Sequence, residues 1–449
     1  MKFARNLAAI VLTMAALTGC DDNSSSETEA TSSVRFATYN LSFDRDSYDI
    51  LVNQMELTPE EQDKLVEEYE QDSEGVTLKN KDTAEKVIQI RNVAEVIQRT
   101  NPDVFVLAEF NNDGTGEDTR ALEGFQKNYL SVAQDESLEG IQYQYQKSFA
   151  TNTGLESGYD LNLDDSVGGP DDAWGFGAYH GQYAFAVFSK YPFDENNIRT
   201  FQNFKWKDMP GEENIKIDDC EATLPEGKEC GDSWYPSLAW AQFPLSSKNH
   251  IDLPVRVASA SGEEVIHFLV SHPAPPIFDN PAGHNTKRNR AEVDFWVDYI
   301  DAQNYIYDDN GVYGGLEQGA HFVIAGDLNA DPRVGDGDLT AIQDLLNHSL
   351  VNNEATLGVK APTSKGGPEY YETAESDTIT PAPENITSTS ALMLDHVIPS
   401  ADLAVKASGV FWPASFEEGY HLVYDEKLGA SKGVSSDHRL VWIDVVLGQ

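Results

Sequence analysis

Basic residues are scarce in this chain. Its 449 residues hold 31 Lys and Arg against 75 Asp and Glu, a formal charge of −44. A surface of that sign repels phosphodiester backbones over long range. It argues against a non-specific nucleic-acid coat protein, but not against an enzyme that holds cations locally. So many carboxylates also suit a salty habitat, where screening shortens their repulsion to about 10 Å or less. Long apolar runs are missing too. Past the first twenty residues no stretch reaches the ~18 consecutive apolar positions that would suggest a membrane span. No repeat of fixed period occurs, and no linker cuts the chain into independent parts. The composition is 40% hydrophobic, 24% charged and 10% aromatic, which excludes a wholly disordered chain, a collagen-like chain and a coiled coil. At about 100–200 residues per domain the length would allow two to four domains. One large α/β domain with insertions is the economical reading.

Cysteine is rare as well, with three in all. Lys2 and Arg5 form a short basic region, and Leu7 to Leu17 is apolar except for Thr13. That run is too short for an ordinary span of about 20 residues and fits a secretory signal. It ends in Leu17-Thr18-Gly19-Cys20, which resembles the bacterial lipoprotein signal, where the Cys becomes the acylated N-terminus. The resemblance implies a signal peptide over 1–19 and a lipidated Cys20, with more than one acyl chain for stable membrane anchoring. A plain signal peptide with an incidental Cys is the alternative. The expected location is the envelope of a Gram-negative-type bacterium, periplasm-facing or at the cell surface. Asp21 and Asp22 resemble an inner-membrane retention mark of enteric bacteria, a weaker rule elsewhere, so the choice of membrane stays open. Residues 20–33 are Ser/Thr/Glu-rich and read as a flexible tether. Cys220 and Cys230 lie ten positions apart in a polar stretch. In an oxidising periplasm they suit a disulfide closing a surface loop; two free thiols or half a metal site are the alternatives.

The domain then runs over 34–449. Strands are expected at Val34–Asn40, Val104–Ala108, Ala184–Ser189, around Trp240–Phe243, at Val255–Ala258, Val265–Val270, Phe322–Ala325, Val397–Ile398, Ala404–Val410 and Val441–Val446. Helices are expected after Thr58-Pro59, from Thr83 to the stop at Asn101-Pro102, around Ala121–Val132, over Arg290–Tyr305 and over Leu339–Leu346. Residues 46–82 and 154–180 read as insertions, the first carrying an acidic, solvated helix, and 363–389 as loop.

Polar residues sit where the apolar strands stop. Asn40 ends the first, Glu109 follows Ala108, His272 follows Ser271, and Asp327 and Asn329 follow Phe322–Gly326. Asp395 follows Leu394, and Asp437-His438 precede the last strand. Any one of these is usually a turn former or a satisfied core residue. Together they mark a site, because ligand sites in α/β sheets gather at strand ends.

In order along the chain stand Thr38-Tyr39-Asn40, Leu107-Ala108-Glu109, Gly181-Gln182-Tyr183 with Ser189, Ser271-His272, Gly326-Asp327-Leu328-Asn329, Leu394-Asp395-His396 and Ser436-Asp437-His438. This ordered series resembles the endonuclease/exonuclease/phosphatase superfamily and covers residues 34 to 446. The resemblance implies a four-layer α/β sandwich: two mixed sheets face to face, helices outside, and the active site at one edge. It implies metal-dependent hydrolysis of phosphate esters with Mg²⁺, or Mn²⁺, held by hard oxygen ligands. On that resemblance Glu109 is the main metal carboxylate, with Asn40 beside it and Asp437 nearby. His438 is the catalytic histidine and Asp395 its orienting partner. Asp327 binds or deprotonates the attacking water, Asn329 holds a phosphoryl oxygen, and His272 donates to phosphate.

Some residues depart from the pattern or leave two readings. Ser42 stands where some branches carry an Asp, which puts a second metal in doubt. Tyr183 is a phosphate-facing residue or a core tyrosine. Arg288 and Arg290 would grip an anionic substrate, or merely begin a helix. Asp160, Asn162, Asp164 and Asp171 are spaced like a calcium loop, but position six is Asp165 rather than Gly, and a solvated acidic loop is the other reading. The expected substrate is a phosphorylated small molecule or a nucleic acid. The rival from another class is a catalytically inactive binding or scaffold protein, expected to have lost Glu109, Asp327, Asn329 or His438; all four are present. A phospholipase is suggested by the anchor but has no exposed apolar stripe to support it. The oligomeric state is not legible.

Overall fold

A computed structural model describes residues 33–71, 77–259, 262–374 and 378–448. Cys20, the signal segment and most of the tether lie outside the described residues. Among those described, the strands in chain order are β1 (Ser33–Asn40), β2 (Val104–Ala108), β3 (Tyr145–Ser148), β4 (Phe185–Ser189) and β5 (Arg199–Thr200). They continue as β6 (His250–Ser259), β7 (Gly262–Ser271), β8 (His321–Asp327), β9 (Asp395–Pro399), β10 (Ala404–Val410) and β11 (Val441–Val446).

The strands build two sheets, ordered β10-β11-β1-β2-β4-β3 and β5-β6-β7-β8-β9. β1 and β2 pair parallel, as do β7 and β8. The other neighbours, such as β1 with β11 and β8 with β9, are antiparallel, so both sheets are mixed.

The period of two along each strand explains the layers. Val34, Phe36, Val104 and Val106 face a cluster that includes Leu253, Val255, Phe268 and Val270 of the other sheet. Phe36 and Phe268 meet across the sheets at 5.5 Å between ring centroids. The alternate residues Phe105 and Leu107 pack outward on Ile90, Val93 and Ile97 of the helix Leu78–Thr100. On the second sheet Leu269 and Ile324 pack outward with Val293 and Trp296 of His284–Ile300 and with Ile342 and Leu345 of Leu339–Leu346. Helix, sheet, sheet, helix is the four-layer sandwich expected.

Several boundaries move for physical reasons. The helix expected from Thr83 begins at Leu78, where the Thr77 side chain accepts from Asn80 N at 3.2 Å, and it ends where Asn101 turns left-handed before Pro102. The helix expected to start at Arg290 begins at His284. No strand forms at Trp240–Phe243; Ser237–Trp240 is one helical turn, and its aromatic residues join a cluster with Trp206 and Tyr235. Gly366–Thr373, expected as loop, is helical. Residues 46–82 are more than a solvated appendage. Leu51, Val52 and Met55 of the helix Tyr48–Met55 are buried in the core outside the first sheet. Cys220 and Cys230 form the expected disulfide.

Phe36 is fully buried between the sheets, so Phe36→Ala should cost about 3–5 kcal/mol of stability through lost transfer energy and a cavity. Urea unfolding should show a lower midpoint with an unchanged slope; an unchanged midpoint would contradict this account of the inner layer.

Candidate functional site

The sheet registers bring the strand-end residues together. In the parallel pair β1–β2, Asn40 lies level with Ala108, so Glu109 emerges beside it. In the antiparallel pair β8–β9, Asp327 lies directly opposite Asp395. β7 runs parallel to β8 and delivers His272 one residue past its end. Gly326 makes that approach feasible, since a β-carbon there would lie 2.0 Å from the Ser271 carbonyl oxygen.

Hydrogen bonds connect these ends. Asn40 Nδ2 donates to Asp327 Oδ2 at 2.9 Å and to Glu109 Oε1 at 3.2 Å. His438 Nδ1 meets Asp395 Oδ2 at 2.8 Å and lies 3.8 Å from Asp327 Oδ2. His272 Nε2 is 3.5 Å from the same Asp327 oxygen. Thr387 donates to Asp395 Oδ2 at 2.8 Å and accepts from Asp395 N at 3.0 Å, which fixes the carboxylate. Ser42 Oγ donates to Asp437 and meets Ser436 Oγ at 2.9 Å.

Burial and neighbours push these groups apart in basicity. Burial pushes the Glu109 carboxyl up to about 7; His438 and Asn40 pull the other way, while Asp437 and Asp327 add to the rise. Burial likewise raises Asp327, against His438. Burial would raise Asp437 too, but His438 and Ser42 outweigh it and hold it below the usual carboxylate range. Burial works against a charged His438, yet Asp395 and Asp327 outweigh it and hold the imidazolium well above the ordinary range. His272 goes the opposite way: burial, with Lys248 and His438, keeps it neutral. A cationic and a neutral histidine thus flank one carboxylate of raised basicity, the kind of divergence that marks acid–base sites.

A family model described as the endonuclease/exonuclease/phosphatase family matches residues 37–438. The chain belongs to that family. Solved structures with a similar fold include an endonuclease/exonuclease/phosphatase from Beutenbergia cavernae, at 14% identity and a TM-score of 0.40, covering 93% of this chain and 72% of that one. A family protein from Bacteroides thetaiotaomicron has 11% identity and a TM-score of 0.39, with 93% and 99% covered. Beta toxin from Staphylococcus aureus has 13% identity and a TM-score of 0.37, with 91% and 99% covered. No curated protein matches the sequence. Members of the endonuclease/exonuclease/phosphatase family hydrolyse phosphate esters.

Within this family site, Asp327, Asp395 and His438 bring ligand-capable atoms within 4.8 Å of one another. His438 and Asp395 are hydrogen-bonded to each other, and Asp395 also to Thr387, so these groups are already engaged with one another. Glu109 and Asp437 offer the alternative pair of carboxylates. Asn40 does not turn an oxygen toward them: its Oδ1 accepts from Ser42 N at 3.0 Å, and its NH₂ group faces Glu109 and Asp327. As placed, Asn40 spaces the carboxylates rather than ligating beside them.

The site opens into a cleft of 680 Å³ lined by Glu109, Tyr183, His272, Asp327, Asn329 and His438, among others. Asn329 Nδ2 uses one hydrogen on Pro273 O at 3.1 Å, leaving a second for a ligand. Tyr183 is half-buried and lines the cleft. Ser42, Glu109, Tyr183 and Asn329, all among or beside the strand-end residues, have left-handed backbones.

The two arginines do not serve as expected. Arg288 is buried, and its guanidinium donates to the carbonyls of Leu245, Pro244 and Ser246. Arg290 pairs with Glu212 at 2.5 Å, and it is not among the residues lining the cleft. Both are consumed in holding the helix His284–Ile300 against the preceding loop. The calcium-loop reading also changes. Asp160 accepts the N–H groups of Asp164 and Asp165, and Asp164 accepts from Ser166 N and Asn162 Nδ2. These side chains satisfy their own loop, as in a solvated acidic turn.

Two contributors, Lys248 and Thr387, were not singled out from the sequence. Lys248 lines the cleft, fully buried, with Nζ 3.3 Å from Pro273 O; burial lowers its pKa against Glu292, Asp327 and Glu109. Its signal was faint, a single lysine in a short polar stretch ahead of β6. Thr387 had no signal beyond its hydroxyl in a stretch that reads as loop.

Proposed function

We propose that this protein is a divalent-metal-dependent hydrolase of phosphate esters, tethered to the cell envelope by lipid on Cys20. One observation carries the catalytic part: a buried carboxylate of raised basicity, Asp327, set between a cationic His438 and a neutral His272. An inactive scaffold would have no need to keep such costly charges out of water.

The donor chemistry fits a hard cation. Glu109 is a carboxylate whose charge burial disfavours, and a dication beside it would restore that charge. One or two carboxylates completed by water and substrate oxygens suit Mg²⁺ or Mn²⁺, so Glu109 and Asp437 are the holders. When bound, such an ion polarises the phosphoryl group and offsets charge on the leaving oxygen. The residues supply the rest. Asp327 accepts a proton from the attacking water. Asn40 keeps Asp327 and Glu109 together without an intervening cation from the protein. His438, as imidazolium, binds a phosphoryl oxygen or protonates the leaving oxygen, and Asp395 holds its tautomer. The free N–H of Asn329 binds a second phosphoryl oxygen.

His438→Ala should lower kcat at least about 100-fold on whichever phosphate ester is turned over, with a smaller change in KM. Asp395→Asn should lose a large part of that, and the double variant should be little worse than His438→Ala. Additive losses would show that the two act independently.

The metal requirement is checked with plasmid DNA, bis-p-nitrophenyl phosphate, p-nitrophenyl phosphate, inositol phosphates and sphingomyelin, each with Mg²⁺, Mn²⁺, Ca²⁺ or EDTA. Wild-type activity should vanish in EDTA, and Glu109→Ala should weaken metal activation and turnover together. An unchanged metal titration would move the ion elsewhere.

The anchor reading rests on the Leu17-Thr18-Gly19-Cys20 motif. Cys20→Ala should free the protein from membranes; a variant that still sediments with them after a high-salt wash would refute lipidation at this position.

A further inference from the structure

The cleft that holds the catalytic residues is also lined by five aromatic side chains from the segments 154–180 and 206–243 and the loop before the helix His284–Ile300. Trp234, Tyr235 and Phe243 line it and are buried, whereas Phe176 and Phe278 line it and are 58% and 88% exposed. Singly exposed apolar residues are ordinary. Two exposed phenyl rings lining one cleft with three buried aromatic residues and the catalytic groups are not.

Phe278 is also held in place. Its backbone is left-handed at φ +59, a conformation that costs a side-chain-bearing residue. Asn285 Nδ2 donates to Ile277 O at 2.6 Å and Phe278 O at 3.3 Å. Asp279 accepts from Asn285 N and from Thr286 Oγ1. The next turn is clasped from outside: Asp218 N and Asp219 N both donate to Pro281 O at 3.1 Å, beside the Cys220–Cys230 loop. Lys287 adds an ion pair to Asp218 at 2.7 Å. The ring is thus presented to the cleft by a braced loop and contributes little to the core.

Size and charge limit what can enter. The volume of 680 Å³ falls within the roughly 300–1,000 Å³ of small-molecule sites. Lys248 and Arg288 are the Lys and Arg side chains lining it among the described residues, and Arg288 is committed to three carbonyls. Glu109, Asp171 and Asp327 line the same cleft. That balance suits one phosphate held with a metal. A chain of phosphates would meet mostly carboxylates, on a protein of charge −44.

Resting on the phosphoesterase reading, we propose that the substrate is a single-phosphate ester whose organic part bears a planar ring. The ester is taken up whole, phosphate with the catalytic residues and the ring of its retained, non-leaving part against Phe278, Phe176 and the residues Trp234, Tyr235 and Phe243. A ring on an aromatic face gains stacking energy that an alkyl group of similar reach does not.

The test uses two esters with one leaving group, bis-p-nitrophenyl phosphate and methyl p-nitrophenyl phosphate, which differ by the second ring. Phe278→Ala and Phe176→Ala should each lower the ratio of kcat/KM between them by about 10-fold, mainly through KM, the scale of one lost stacking contact. Phe278→Tyr, which keeps the ring, should retain the wild-type ratio. Turnover with an unmoved ratio in both alanine variants would overturn the ring subsite and leave the phosphoesterase reading intact. Duplex plasmid cleaved more efficiently than the bis-aryl ester would also overturn it, in favour of a nuclease. Wild-type inactivity on every ester and metal would overturn both readings together.

Discussion

A hydrogen bond from Asn40 on β1 to Asp327 on β8 joins the two sheets where their reactive ends meet. The rest of the site depends on that crossing. Each sheet alone would deliver half a centre: Asn40 and Glu109 from one, His272, Asp327 and Asp395 from the other. Packing the sheets on Phe36, Phe268 and their neighbours sets the spacing, and Asn40 fills the seam with a donor that serves both carboxylates. Charges taken out of water are costly unless paired. Here the pairing comes from His438, Asn40, Ser42 and Thr387. The aromatic core between the sheets and the polar seam at their end are therefore one design, since a shift in the first would unpair the second.

Much of the frame was legible because it follows from alternation. Val104–Ala108 is apolar at every position, and both faces of β2 are covered; β10 and β11 fall where their β-branched residues place them. The strand-end polar residues were legible for a related reason: a buried strand has no use for Glu109 or Asp395 in its packing. What was not legible depended on distant partners. Arg288 and Arg290 look like anion binders in sequence, because nothing there shows that the Leu245 and Pro244 carbonyls or Glu212 will claim them. Asn40 was read as a metal ligand, yet the orientation of its amide is decided by Ser42 N, a contact that sequence spacing does not reveal. Trp240–Phe243 resembled a strand by composition; instead Trp240 ends the helical turn Ser237–Trp240 and packs on Trp206, while Phe243 packs on Tyr235.

The segments between the strands of the two sheets are not neutral padding. Helix Tyr48–Met55 adds to the core outside the first sheet. Residues 154–180 and 206–243 contribute aromatic side chains to the cleft wall, and Asp218 and Asp219, just ahead of the disulfide, donate to Pro281 O in the loop that carries Phe278. The two-sheet frame carries the strand-end polar residues, and these segments line the cleft beside them. Function on a shared fold divides in this way between a rigid scaffold and its loops.

The left-handed residues around the catalytic groups carry a further meaning for redesign. Glycine would sit at Ser42, Glu109 and Tyr183 with less backbone cost, by about 1–3 kcal/mol at each, whereas Asn329 is already a residue that tolerates this region. A redesign guided by backbone strain alone would place glycine at those three positions and strip the site of their side chains. Engineers seeking a hardier form of this protein should therefore leave these positions alone and look for gains in its loops.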